Sequence, residues 1–130
     1  MTTQDPHPFR IAAAAKDHAG MVAALAPDVI LHSPVSFKPF EGREAVSILF
    51  AALLEVFEDF RYTDELGDGD TRLLVFRARV GNRDLEGVDL LRLGPDGLIA
   101  DFTVMVRPLS ATIALAEAIG PRLAAAGSPH

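Results

Sequence analysis

The sequence has no cysteine, no tryptophan, a single tyrosine and no long apolar run. Without cysteine there is no disulfide framework, no thiolate zinc or iron–sulfur ligation and no thiol nucleophile. The longest apolar stretches lie within residues 48–54 and 111–118, far short of the roughly 20 residues that span a bilayer. Positive charge is scarce: 12 Lys and Arg face 18 Asp and Glu, for a net charge of −6. A phosphate-reading surface for nucleic acid is therefore not expected. The opening residues MTTQDPHPFR carry acid and proline in place of a basic segment before an apolar run. They do not read as a signal peptide, and a cytoplasmic location is the simplest expectation. There is no Gly-x-Gly-x-x-Gly, no P-loop and no Gly-x-Ser-x-Gly elbow. His7, His18, His32 and His130 have no metal-ligand spacing, and Asp68-Gly69-Asp70 lacks the remaining ligands of a calcium loop. No metal, cofactor or membrane partner is expected.

What is present is a balanced globular composition. The 130 residues are 49% hydrophobic and 23% charged, enough for one folded domain with a core of its own. The first half reads helical. Phe9, Ala12, Ala13 and Lys16 share a 3.6-period face, and Asp17 is placed to cap a second short helix over residues 18–25, ended by Pro27. A β-prone run follows over residues 29–32. Gly42 then precedes a long amphipathic helix over about 43–58, with Val46, Leu49, Phe50, Leu53, Leu54 and Phe57 at apolar spacing.

The second half reads as strands over residues 60–66, 72–80, 85–93 and 98–106, separated by turns at 67–70, 81–84 and 95–97. The last helix is expected over about 110–118, stopped by Gly120-Pro121, with a frayed tail over 124–130. Helices first and consecutive antiparallel strands after describe an α+β fold, not a parallel βαβ one. A twisted sheet of this size can curl around the long helix and enclose an apolar pocket.

Three segments carry a family resemblance: AAAAKDHAGMVAALAPDVILHSPV, FEGREAVSILF and VDLLRLGPDGLIADFTVMVRPL. Their order and spacing resemble the nuclear transport factor 2-like superfamily. Its members include ketosteroid isomerases, limonene epoxide hydrolase and SnoaL-like polyketide cyclases, and the chain is most similar overall to SnoaL-like proteins of unknown function. The resemblance implies a cone-shaped, cystatin-like fold: a curved antiparallel sheet around a long helix. It implies a single SnoaL-like domain over residues 1–130, with a core at about 8–108 and a C-terminal helix at about 110–120.

The catalytic sets of the superfamily carry over incompletely. Ketosteroid isomerases use a tyrosine on the first helix, a general-base aspartate before Pro-Val and a neutral aspartic acid on a later strand. The resemblance places Phe9, Ser33 and Asp89 there. Phe9 donates no hydrogen bond, and serine is no base for a carbon acid at neutral pH. The arginine of the epoxide hydrolases falls on Gly87, and their last-strand acid, shared with the cyclases, falls on Val104.

Asp89 is the leading candidate. Strand parity puts it on one face with Leu85, Gly87, Leu91 and Leu93, and a carboxyl in apolar surroundings has its charged form disfavoured. The competing reading is an acid held for structural reasons. His32 can exchange protons near neutral pH and is a second catalytic candidate, against the reading of a packed histidine bonded to backbone. Phe9, Ser33, Phe50, Leu74, Phe76, Leu91, Phe102, Val104 and Val106 are the expected pocket residues.

Two functions stay open. One is a pocket for a small hydrophobic molecule, with a possible isomerase, cyclase or hydrolase activity through Asp89. The other is a non-catalytic dimerisation or protein-association module. A homodimer is expected through the convex face, where parity places Arg77, Arg79, Glu86, Val88, Leu90, Arg92, Asp101, Thr103, Met105 and Arg107.

Overall fold

A computed structural model describes residues 5–128. The elements in chain order are α1 (Pro8–Ala14), α2 (His18–Ala23), β1 (Leu25–His32), β2 (Phe40–Glu41), α3 (Arg43–Val56), β3 (Glu58–Asp68), β4 (Thr71–Val80), β5 (Arg83–Leu93), β6 (Ile99–Arg107) and α4 (Leu109–Ala125). The six strands form one unclosed sheet in the order β2-β1-β6-β5-β4-β3. The expected α+β architecture is present. Neighbouring strands are antiparallel except β1 and β6, which run parallel.

Local chemistry fixes the helix starts. At α1 the His7 ring accepts a hydrogen bond from the Phe9 N–H at 3.1 Å, and Pro8 opens the helix. At α2 the Asp17 carboxylate accepts from the Gly20 N–H at 3.1 Å. At α3 the cap is Gly42, with φ 92°, a left-handed conformation that side chains with a Cβ resist. The buried face of α3 is Val46, Leu49, Phe50, Ala52 and Val56, the stripe that 3.6-residue periodicity requires.

Several boundaries differ from the sequence expectation: β1 begins at Leu25, α3 ends at Val56 and β3 spans Glu58–Asp68. Helix α2 stops at Ala23, and Pro27 lies inside β1 rather than ending a helix. The reason is a register shift: Leu25 pairs with Ile99 but Ile30 already pairs with Asp101. Pro27 falls in that bulge, where no ladder donor is missed. Strand β2 went unseen because two residues show no alternation. The β4–β5 turn is only Gly81-Asn82, since β5 begins at Arg83.

Helix α4 runs through Pro121 to Ala125, past the expected stop. Its buried residues Ala111, Leu115, Ile119 and Leu123 recur every four positions across the proline. Arg122 also bonds Glu55 of α3 at 2.9 Å. Burial of Leu123 and that ion pair hold the last turn despite the missing N–H. Residues 124–125 of the expected frayed tail are helical, and residues 129–130 lie outside the described part.

The core fills the space between the concave sheet face and the helices. Phe9 of α1, Phe50 of α3 and Phe102 of β6 meet there with ring centroids 5.0–5.7 Å apart. No helix among the described residues is long and apolar enough to cross a membrane.

Candidate active site

The site begins with the pleat of β5. Along this strand Leu85, Gly87, Asp89 and Leu91 are buried and the residues between them are not. Asp89 therefore points inward with its apolar neighbours. It is 5% exposed, and apart from His7 it is the only buried polar or charged residue among those described. In register it sits between Leu74 of β4 and Val104 of β6.

One polar group meets it. The Tyr62 hydroxyl of β3 donates to Asp89 Oδ2 at 2.9 Å. Tyr62 pairs with Phe76 of β4, which pairs with Gly87 of β5, so it reaches Asp89 diagonally across β4. Asp89 Oδ1 has no hydrogen-bond partner among the described residues.

Burial raises the Asp89 carboxyl to about 7, and the bond from Tyr62 pulls against that rise. Tyr62 is itself pushed well above the ordinary phenol range, first by burial, then by the Asp89 charge and the bond to it. The phenol thus remains a donor at physiological pH. Burial moves the carboxyl into the neutral range, where one group can both take and give a proton.

Asp89 and Tyr62 line a cavity of about 70 Å³ whose other walls are largely hydrocarbon. Of the sequence-expected pocket residues, Phe9, Ser33, Phe50, Phe76, Phe102 and Val104 border it. Leu74, Leu91 and Val106 do not: the two leucines are wholly buried in the core, and Val106 packs against it. Helix α4 contributes Leu115 and Ile119, so the C-terminal helix closes one side of the cavity.

His32 is not brought to Asp89. Its neighbours Leu31 and Ser33 line the cavity, and alternation sends His32 to the opposite face. There its Nε2 lies 3.2 Å from Asp101 Oδ2 in an exposed pair. The Ser33 hydroxyl oxygen accepts from the Val35 N–H at 3.1 Å, a local turn contact.

Tyr62 is the residue of this candidate site that the sequence reading missed. The signal was available: Phe60 and Tyr62 alternate on one strand face, and a phenol turned toward a core must find a partner for its hydroxyl. Among the described residues no group of three or more His, Asp or Glu side chains could hold a metal ion.

A curled, unclosed six-stranded sheet holding a helix at its concave face is the architecture of the nuclear transport factor 2-like class of small α+β proteins. Within it the SnoaL-like domain family matches residues 9–102, and the chain belongs to that family. A steroid delta-isomerase from Pseudomonas aeruginosa is 43% identical, with 91% of this chain and 88% of that one covered and a TM-score of 0.85. An uncharacterised bacterial protein with a cystatin-like fold from Silicibacter pomeroyi is 35% identical over 93% and 89% of the two chains, with a TM-score of 0.87. A nuclear transport factor 2-like protein of unknown function from Burkholderia pseudomallei shares the fold at 19% identity, covering 86% and 92%, with a TM-score of 0.66. No curated protein matches the chain.

Proposed function

We propose that this chain binds a small, mostly apolar molecule bearing a carbonyl or hydroxyl oxygen, and that Asp89 exchanges a proton with it. The observation behind this reading is the Asp89–Tyr62 pair: a buried carboxyl at about 7, bonded on one oxygen only, at the wall of an apolar cavity. Tyr62 holds Oδ2, which leaves Oδ1 for the ligand. In its neutral form Asp89 donates from there to a ligand oxygen; ionised, it accepts a proton from the same place. With His32 on the other face, Asp89 carries both roles alone.

Ligand size follows from the space. A buried water needs about 10–15 Å³ of such volume, so about 70 Å³ holds about five to seven atom-sized groups, the scale of one six-membered ring, with larger substituents left to extend through the open side. The name of the Pseudomonas aeruginosa relative raises steroid isomerisation as a second reading. Two features of this chain weigh against it. Ser33 stands where the resemblance puts the base, and the cavity is small for four fused rings.

The test uses para-ethylphenol and cyclohexenone as single-ring probes and a β,γ-unsaturated ketosteroid as the large one. Both single-ring probes are expected to shift NMR signals around Tyr62 and Asp89. Tyr62→Phe is expected to weaken binding by about 5–10-fold, the scale of one hydrogen bond. The same substitution removes the bond that lowers Asp89, so carbon-13 NMR of the carboxyl should show its titration moving upward from about 7. Ketosteroid turnover without single-ring binding would overturn this reading in favour of the steroid one. No binding by any probe would favour a non-catalytic association module.

We also propose a homodimer through the convex sheet face. Its charges pair within the chain: Glu86 bonds Arg77 at 3.0 Å and Arg107 at 3.1 Å. Such exposed pairs contribute at most about 1 kcal/mol each, so the affinity has to come from the apolar groups beside them. Val88 and Leu90 are half-buried there, and Met105 is exposed. Light scattering should give twice the 13.9 kDa chain mass. Leu90→Asp should halve it, and a change at Asp68 should not; a wild-type monomer refutes the dimer.

A further inference from the structure

The cavity is bordered by just two charged side chains, Asp89 and Lys16. They sit in opposite settings. Asp89 is buried, whereas Lys16 and Val35 are the exposed residues of the lining and mark its solvent side. The sequence holds only two lysines, Lys16 and Lys38, and Lys38 lies in the segment that continues from that same rim.

The backbone at Lys16 is unusual. Helix α1 ends in a double closure in which the Lys16 N–H reaches the Ala13 carbonyl at 3.1 Å and the Asp17 N–H reaches the Ala12 carbonyl at 2.8 Å. This closure places its penultimate residue in the left-handed region, where glycine is the usual occupant because a Cβ crowds the backbone. Here that residue is Lys16, with φ 56°. Its ammonium has no ion-pair or hydrogen-bond partner among the described residues. The neighbouring Asp17 carboxylate is engaged at the start of α2. A cation therefore occupies a strained position at the rim of an apolar cavity without a partner from the chain.

We infer that Lys16 recognises a carboxylate on the ligand: the ligand is an amphiphile whose oxygen-bearing ring lies against Asp89 and Tyr62 and whose anionic group emerges at the mouth beside Lys16. This deepens the ligand reading above and rests on it. The chain is acidic overall, so an anionic ligand needs a local cation at the entrance. A competing structural role is that Lys16 complements the carbonyl end of α1.

The experiment separates these. The probes are para-hydroxyphenylacetate and its primary amide, which share the ring and the phenol and differ in the charge. By calorimetric titration at low salt, the wild-type protein should bind the acid about 3–10-fold more tightly than the amide. The preference should fade at about 1 M salt, where the screening length is about 3 Å. Lys16→Gly removes the cation and relaxes the backbone, so it should bring the acid-to-amide affinity ratio to about one and raise Tm by about 2–5 °C. Lys16→Arg should keep the preference. Equal wild-type affinity for acid and amide, or a preference that survives Lys16→Gly, overturns the inference and leaves the ligand reading standing. Failure of both acid and amide to bind while para-ethylphenol binds overturns the inference alone; failure of all three brings down the ligand reading as well.

Discussion

Asp89→Asn is expected to stabilise the folded protein at pH 8 and to change it little near pH 4. The carboxyl is raised from 3.8 to about 7 by burial. An acid raised by folding holds its proton more tightly in the folded chain than in the unfolded one. The stability this confers is complete below the unfolded value, is lost as pH climbs toward about 7, and is absent above that. A shift of about three units corresponds to about 4 kcal/mol across the window.

Asparagine keeps the shape of the neutral acid, keeps an acceptor for the Tyr62 hydroxyl and does not titrate. The Tm of the variant should therefore exceed that of the wild type by an amount that widens with pH, to on the order of 10 °C at pH 8. The difference between the two curves is the observable, because every other titrating group contributes equally to both. Parallel curves from pH 4 to 8 would mean that Asp89 is no more shifted than a surface carboxylate. The same substitution should remove proton exchange with the ligand, so stability and function are expected to move in opposite directions, as they do where a site carries a poorly solvated charge.

The sequence made one half of this site visible and concealed the other. Asp89 stood out because alternation along β5 is strict: Leu85, Gly87, Asp89 and Leu91 must share a face, and one of them is an acid. Tyr62 reaches that acid from two strands away, and no local pattern reports on strand order. Its own strand also has register shifts against β4 between Glu58 and Arg61 and between Tyr62 and Asp64, so the parity of Phe60 and Tyr62 indicates an inward phenol but not the acid it meets. His32 was misjudged because strand-end position was read as pocket position; its parity partners Leu31 and Ser33 already pointed the cavity the other way. The boundaries missed at Pro27 and Pro121 have a common cause. Both prolines were read as stops from backbone chemistry alone, whereas a bulge in one case and a buried leucine beyond the proline in the other decided the outcome.

Gly87→Ala is expected to destabilise the protein by about 2 kcal/mol and to narrow the cavity. Gly87 has no unusual backbone conformation; its requirement is for space. A Cβ there would lie 2.3 Å from Phe76 Cζ, 2.7 Å from Phe76 Cε2 and 2.8 Å from the Met105 carbonyl oxygen. The carbonyl belongs to β6, where Val88 pairs with Met105 and Gly87 with Val106, so it cannot retreat without opening the ladder. The ring of Phe76 is what must move. It is stacked on Phe60 at 5.1 Å and packed near Phe57 and Tyr62, with centroids at 6.0 and 6.3 Å, and these rings border the cavity.

Overpacking of this kind costs about 1–3 kcal/mol, and alanine recovers only a fraction of a kcal/mol to about one from the unfolded chain. The net effect should appear as a Tm lower by about 5–10 °C and as weaker binding of single-ring probes. Phe76→Leu supplies the control. If ring displacement is the cause, the double variant should be more stable than the sum of its parts by about 1 kcal/mol, since the second substitution removes the atoms that the new methyl strikes. A Gly87→Ala protein as stable as wild type, or strict additivity in that cycle, would show that Phe76 does not depend on the missing side chain. The packing that aims Tyr62 at Asp89 would then need another explanation.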